Sequence, residues 1–172
     1  MPVTPSGVSA ILGAASALVE ALRSRRWFLA TAESCTGGGV AQAVTSIAGS
    51  SEVFDRGFVT YTDRSKVEML GVPRALLEAH GAVSEAVARA MADGALRASR
   101  ADVAVAVTGI AGPGGGTPGK PVGMVCFAWA TRDGAGGVRT RHLPGGRGAV
   151  REASVRIALE GVIALASGSP PE

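Results

Sequence analysis

The sequence predicts a three-layer α/β/α domain around a mixed, mostly parallel sheet. Three observations lead there. Helical and strand-like patterns alternate along the chain, the arrangement that covers a sheet with helices on both faces. The run "DVAVAVT" (102–108) is short, apolar and β-branched, as a strand buried on both faces requires. Near the end, "MVCFAWA" (124–130) and "VRTRHL" (138–143) flank the turn "TRDGAGG", which adds an antiparallel hairpin to an otherwise parallel set. The chain has 172 residues, with no internal repeat and no linker. It reads as one domain, 1–172, with its core over about residues 8–166.

The elements follow in order. Residues 8–24 carry Ile11, Leu12, Ala15, Leu18, Val19 and Leu22 on one helical stripe. "WFLATA" (27–32) reads as a buried strand that runs into "ESCTGGG", where a helix begins in the glycines and ends before "AGSS". "VFDRGFVTY" (53–61) reads as a second strand, with Gly57 as a bulge. A short helix around "RSKVEML" is stopped by "GVP". Helices follow near 73–79 and 84–99, the second opened by Ser84 and rich in alanine. After 102–108 comes "GIAGPGGGTPGKPVG", with seven glycines and three prolines in its 15 residues, too many for regular structure. A last helix is expected from about 147 to 166, followed by a frayed tail, "SGSPPE".

Composition removes several classes of function. A net charge of +3, spread along the chain, is no nucleic-acid footprint, and 4% aromatic residues are too few for a base-stacking platform. The one basic cluster, Arg23 to Trp27, reads as the solvated end of the first helix. The two cysteines have no metal or disulfide spacing. The N-terminus lacks the basic stretch of a signal peptide, and no unbroken apolar run suits a membrane span. These features predict a cytoplasmic protein with no nucleic-acid or membrane partner. Small α/β enzymes are commonly symmetric oligomers, so at least a dimer is expected.

The chemistry concentrates in "ATAESCTGGGV" (30–40). A Ser-Cys-Thr run at a strand end, followed by three glycines, places nucleophilic side chains where backbone can approach a ligand. A helix cap is the plainer role for Ser34 or Thr36. Histidine chemistry has little support: His80 reads as a helix end and His142 lies in a charged terminal strand. The G-x-S-x-G, P-loop and dinucleotide fingerprints are absent. Of 17 basic residues only Lys66 and Lys120 are lysines. A serine served by a lysine base is a recognised alternative to Ser-His, provided burial keeps the amine neutral. Lys66 follows the only tyrosine, Tyr61, by five residues at a strand–helix join, though spacing alone favours a surface helix lysine. "TGIAGPGGG" (108–116) gives a second glycine loop after a strand. Two such loops suit a phosphorylated or carboxylated small ligand. Arg147, at the start of the last helix, could reach an anion, and Arg151, one turn on, reads as exposed.

The segments "AESCTGG", "GFVTYTDRSKVEMLGV", "GAVS", "VAVTGIAGPGGGTPGKPVG" and "GGRGAVREAS" together resemble the CinA C-terminal domain family, in matching order over about residues 8–166. Stand-alone members of that family are nicotinamide-nucleotide amidohydrolases. The resemblance implies hydrolysis of nicotinamide mononucleotide (NMN) to nicotinic acid mononucleotide and ammonia, in pyridine-nucleotide recycling, by a Ser-Lys mechanism assisted by a tyrosine. It puts the nucleophile on Ser34 and the tyrosine and lysine on Tyr61 and Lys66. The expected scheme passes the Ser34 proton to Lys66 directly or through Tyr61. Backbone around Thr36, Gly37 and Gly38 forms the oxyanion site. Thr108, Gly109 and Gly112, with Arg147, hold the ribose phosphate. No metal or cofactor is expected. Cys35 is expected to pack under the helix start, a thiol nucleophile being its alternative. This chain departs from the family in two places: it has Gly146 where G-D-R is frequent, and "YTDRSK" where Y-S-N-x-x-K is common. The larger family members carry an N-terminal domain with no expected counterpart here. Two other functions fit the same residues: a non-catalytic nucleotide-binding module, and an amidohydrolase for another phosphorylated amide.

Overall fold

The alternation in the central strands decides the architecture. In a computed structural model, which describes residues 7–172, the helix α1 (Gly7–Arg25) leads to the strand β1 (Leu29–Glu33), α2 (Gly39–Thr45), a 3₁₀ turn at Ser50–Glu52 and β2 (Phe54–Val59). Three helices follow: α3 (Asp63–Leu70), α4 (Arg74–His80) and α5 (Glu85–Arg97). The strands β3 (Val103–Gly109), β4 (Met124–Thr131) and β5 (Gly136–His142) then lead to α6 (Arg147–Ala166). Residues 1–6, part of the segment judged not to be a leader, lie outside the described residues.

The sheet order is β2-β1-β3-β4-β5. The β1–β2 and β1–β3 pairs are parallel, and β3–β4 and β4–β5 are antiparallel. Four strands therefore point one way and only β4 runs against them. Val103, Val105 and Val107 of β3, with Val125, Phe127 and Trp129 of β4, face α1, α2 and α6. Their neighbours Ala104, Ala106, Ala128 and Ala130 face α5, which approaches closely on its own Ala88, Ala92 and Ala95. Period-2 alternation of large and small residues thus builds one deep layer and one thin layer. Gly94 of α5 lies against the end of α3, where a Cβ would stand 2.1 Å from the Leu70 carbonyl oxygen.

On the deep side Trp129 is fully buried, stacks on Phe127 and donates from Nε1 to the Ala158 carbonyl at 3.0 Å. Gly161 leaves room for its indole. α1 is long and apolar enough for a membrane span by length and composition alone, but Ala15, Leu18, Val19 and Leu22 are packed within the α6 core. Its last turn holds Arg23 and Arg25, the latter 4.4 Å over the Trp27 ring.

Three details differ from the sequence reading. The irregularity in β2 is at Asp55, skipped between the pairs Leu29–Phe54 and Ala30–Arg56. Gly57 stays paired with Thr31, and its Cβ position is filled by the Thr31 hydroxyl at 2.7 Å, so it serves close approach, not a bulge. The C-terminal tail is held at Pro171, which is buried with its ring over Gly137, where no side chain competes.

Right-handed crossovers explain where the site lies. β2 and β3 flank β1 on opposite sides, so the connections through α2 and through α3–α5 must cover opposite faces. The chain ends leaving β1, β2 and β3 diverge there and open a crevice at their carboxyl edge, the place where open α/β sheets bind ligands.

Candidate active site

Each wall of the crevice has a local cause. Glu33, the last residue of β1, is buried and turns its carboxylate onto the start of α2, accepting from the Val40 N–H at 2.8 Å and the Ala41 N–H at 3.0 Å. A carboxylate there meets the positive end of the helix dipole. It pins both ends of the turn containing Ser34. Sequence reasoning missed this residue, although an acid shortly before a glycine-started helix was the available signal. Gly37 and Gly38 both have positive φ, 59° and 99°, which the turn needs and other residues resist.

The next wall starts with Thr62. Its hydroxyl accepts from the Ser65 N–H, while the Ser65 hydroxyl accepts from the Thr62 N–H, a capping box that fixes the start of α3. Lys66 then falls one turn in, facing the sheet, and is 1% exposed. Its Nζ lies 3.0 Å from Ser34 Oγ and donates to the Thr60 carbonyl at 2.7 Å. Burial holds the Lys66 amine below the ordinary lysine value; the Asp63 and Cys35 charges oppose that in part. Lys66 is therefore not the surface lysine that spacing alone favoured.

Ser34, Tyr61, Lys66, Thr108, Gly109 and Arg147 line one cleft of about 190 Å³, with Cys35, Asp63, Ala82, Val83 and Ala111. Neither histidine lines it. Tyr61 is 58% exposed at the mouth, and its hydroxyl accepts from Arg147 at 2.9 Å. Ser34 and Lys66 meet directly, with no phenol between them. Gly112 does not line the cleft; its carbonyl accepts from Arg147 at 2.9 Å and ties the glycine loop to α6. The Thr108 hydroxyl donates to the Ala82 carbonyl at 2.9 Å, holding the α4–α5 turn against the sheet. Gly109 is needed for packing, because a Cβ there would meet Val125 and the Met124 carbonyl within 3 Å.

In the Ser34 turn, the Gly37 N–H donates to the Ser34 carbonyl at 3.0 Å. The Thr36 hydroxyl is buried without a protein partner, and the Thr36 carbonyl accepts from Arg151 at 3.3 Å, so Arg151 is more than an exposed residue; Thr36 lines a second pocket beside Arg151, and none of Thr36, Gly37 and Gly38 lines the Ser34 cleft. Burial pushes the Cys35 thiol up to about 11, so it is protonated at neutral pH and a poor nucleophile. The arrangement can remove a proton from Ser34 through a neutral amine, beside a glycine turn able to meet developing negative charge.

The chain has clear relatives. The sequence model of the CinA C-terminal domain matches residues 12–166. A putative competence-damage inducible protein of Symbiobacterium thermophilum is 60% identical over 76% of this chain, which spans 33% of that protein. The CinA-like protein of Akkermansia muciniphila is 56% identical, and again the chain spans about a third of it, 32%. The nicotinamide-nucleotide amidohydrolase PncC of Escherichia coli K12 is 53% identical over 82% of this chain and 86% of PncC. Among solved structures, the competence/damage inducible protein CihA of Agrobacterium tumefaciens superposes with a TM-score of 0.89 at 49% identity, over 96% of this chain and 99% of that one. With the family match covering nearly all the described fold, and relatives agreeing in sequence and in structure, the chain belongs to the CinA C-terminal domain family.

Proposed function

We propose that the chain is a nicotinamide-nucleotide amidohydrolase that converts NMN and water to nicotinic acid mononucleotide and ammonia. The observation that carries this reading is the 3.0 Å contact between Ser34 Oγ and the buried Lys66 amine. The identity to PncC supplies the substrate. Lys66 takes the Ser34 proton as Oγ attacks the carboxamide carbon. The Thr36 and Gly38 N–H groups meet the oxyanion, each donor contributing roughly 3 kcal/mol. Gly37 supports the turn but its N–H is already engaged. The intermediate collapses, the C–N bond breaks, and ammonia leaves with the proton held by Lys66. Lys66 then deprotonates water, which attacks the acyl-enzyme and releases Ser34.

Arg147 has five N–H donors, and two are engaged by Tyr61 and Gly112. The rest are available to the ribose phosphate at the cleft mouth, beside Thr108 and Gly109. Tyr61 positions Arg147 in this scheme. The chain acts as one catalytic domain over residues 1–172, in pyridine-nucleotide recycling.

The test is incubation of purified protein with NMN in the presence of a chelator, following ammonia and the acid product by chromatography, with Ser34→Ala alongside. Product that disappears in the variant supports the reading. A folded protein that binds NMN without turning it over leaves only the binding-module function.

A further inference from the structure

We propose that Asp63 selects for the positive charge on the pyridinium ring, making it a specificity-determining residue; this rests on the amidohydrolase reading. Asp63 occupies the first position of α3 and lines the cleft that holds Ser34 and Lys66. It is the one acidic side chain in that lining. Its carboxylate makes no hydrogen bond or ion pair among the described residues. The adjacent Arg64 is turned away onto Glu68 at 2.6 Å. An acid at a helix start commonly serves the helix dipole alone. Two facts argue for more: Asp63 is the one acid among the residues that surround the Ser34–Lys66 pair, and it acts electrostatically on Lys66, so its charge is felt at the reacting end of the cleft.

The cleft carries charges of both signs, as the substrate does. NMN has a cationic ring next to the scissile amide and an anionic phosphate beyond the ribose. The cleft offers Asp63 near Lys66, and Arg147 at the mouth. Lys66 in its neutral form adds no repulsion to the ring. An asparagine at 63 would keep the shape and lose the attraction.

The experiment uses the full chain carrying Ser34→Ala, with and without Asp63→Asn, titrated by calorimetry with NMN and with its 1,4-dihydro form. The two nucleotides share amide, ribose and phosphate and differ in ring charge. The Ser34→Ala protein should prefer NMN, and Asp63→Asn should cut that preference about fivefold, the size of one exposed ion pair. Affinity for the neutral dihydro form should hold, and Asp63→Glu should retain the preference. An unchanged preference in Asp63→Asn overturns the role of Asp63 and leaves the amidohydrolase reading standing. Failure of both nucleotides to bind, with no turnover by the unmutated protein, overturns that reading, and this inference with it.

Discussion

Replacing Lys66 by methionine should separate the two routes for the Ser34 proton. Methionine keeps the length and apolar stem of lysine but has no amine. The amine is within hydrogen-bond distance of Ser34 Oγ, at 3.0 Å, so in the proposed mechanism its loss removes the general base outright. Such a base contributes about 10²–10⁴-fold, or roughly 3–5 kcal/mol of activation free energy. Tyr61→Phe removes only a hydroxyl bonded to Arg147 on a ring that is 58% exposed. One hydrogen bond of that kind is worth about 0.5–1.5 kcal/mol, which limits the loss to roughly tenfold. That loss should appear in KM, through a looser Arg147. The assay is NMN-dependent ammonia release with kcat and KM determined separately, backed by single-turnover rates. If Tyr61→Phe lowers kcat as deeply as Lys66→Met, the proton travels through the phenol and the direct route is wrong.

Five further outcomes are expected. The kcat/KM profile should rise with pH through the Lys66 pKa, which lies below 10.5, and Asp63→Asn should move that limb to lower pH, because Asp63 favours the charged amine. Stability follows the same sign: the fold favours neutral Lys66, so between its folded pKa and 10.5 the unfolded chain binds more protons. Denaturant melts should therefore show the unmutated protein gaining on Lys66→Met as pH rises through that window. Glu33→Gln exchanges one acceptor oxygen for a donor facing an N–H, and should cost about 2–3 kcal/mol in urea melts while lowering kcat through a loosened Ser34 turn. Cys35→Ala should retain most activity, and a thiol reagent should label native Cys35 far more slowly than unfolded chain at pH 7.5; rapid labelling would contradict its burial. Gly161→Ala would bring a methyl group within 2.5 Å of three Trp129 ring atoms, and the strain should exceed the gain in helix propensity, leaving about 2–3 kcal/mol of destabilisation by calorimetry.

Much of the fold was legible because local patterns and tertiary packing agree. The β-branched run of β3, the hairpin turn and the stripe of α1 each match a period that burial rewards. The β2 irregularity was misplaced because glycine signals both bulges and close contacts, and only the Thr31 side chain across the pair distinguishes them. The site divides in the same way. The glycine turns announced themselves by composition. The Ser34–Lys66 contact spans 32 residues of sequence and depends on a capping box and a parallel strand pair, neither of which spacing specifies. The resemblance to the family supplied what spacing could not. The capping role of Glu33 and the Arg147–Tyr61 bond also needed coordinates, since each joins elements with no common local pattern.

The thin alanine layer under α5 gives this protein an uneven tolerance of mutation. Valine, leucine and aromatic side chains on the opposite face can exchange volume among themselves as sequences diverge. Ala88, Ala92, Ala95, Ala104, Ala106, Ala128 and Ala130 have no smaller neighbour to trade with except glycine. A methylene added at any of them must be taken up by Val87, Met91 or Leu96 in the same layer, or it lifts α5 from the sheet. The helix would carry along its cap at Ser84 and the adjoining turn, where Ala82 and Val83 line the cleft. Changes in a region with no chemistry of its own would thus be felt as altered substrate affinity, and drift in this lineage should leave that face nearly fixed while the other varies.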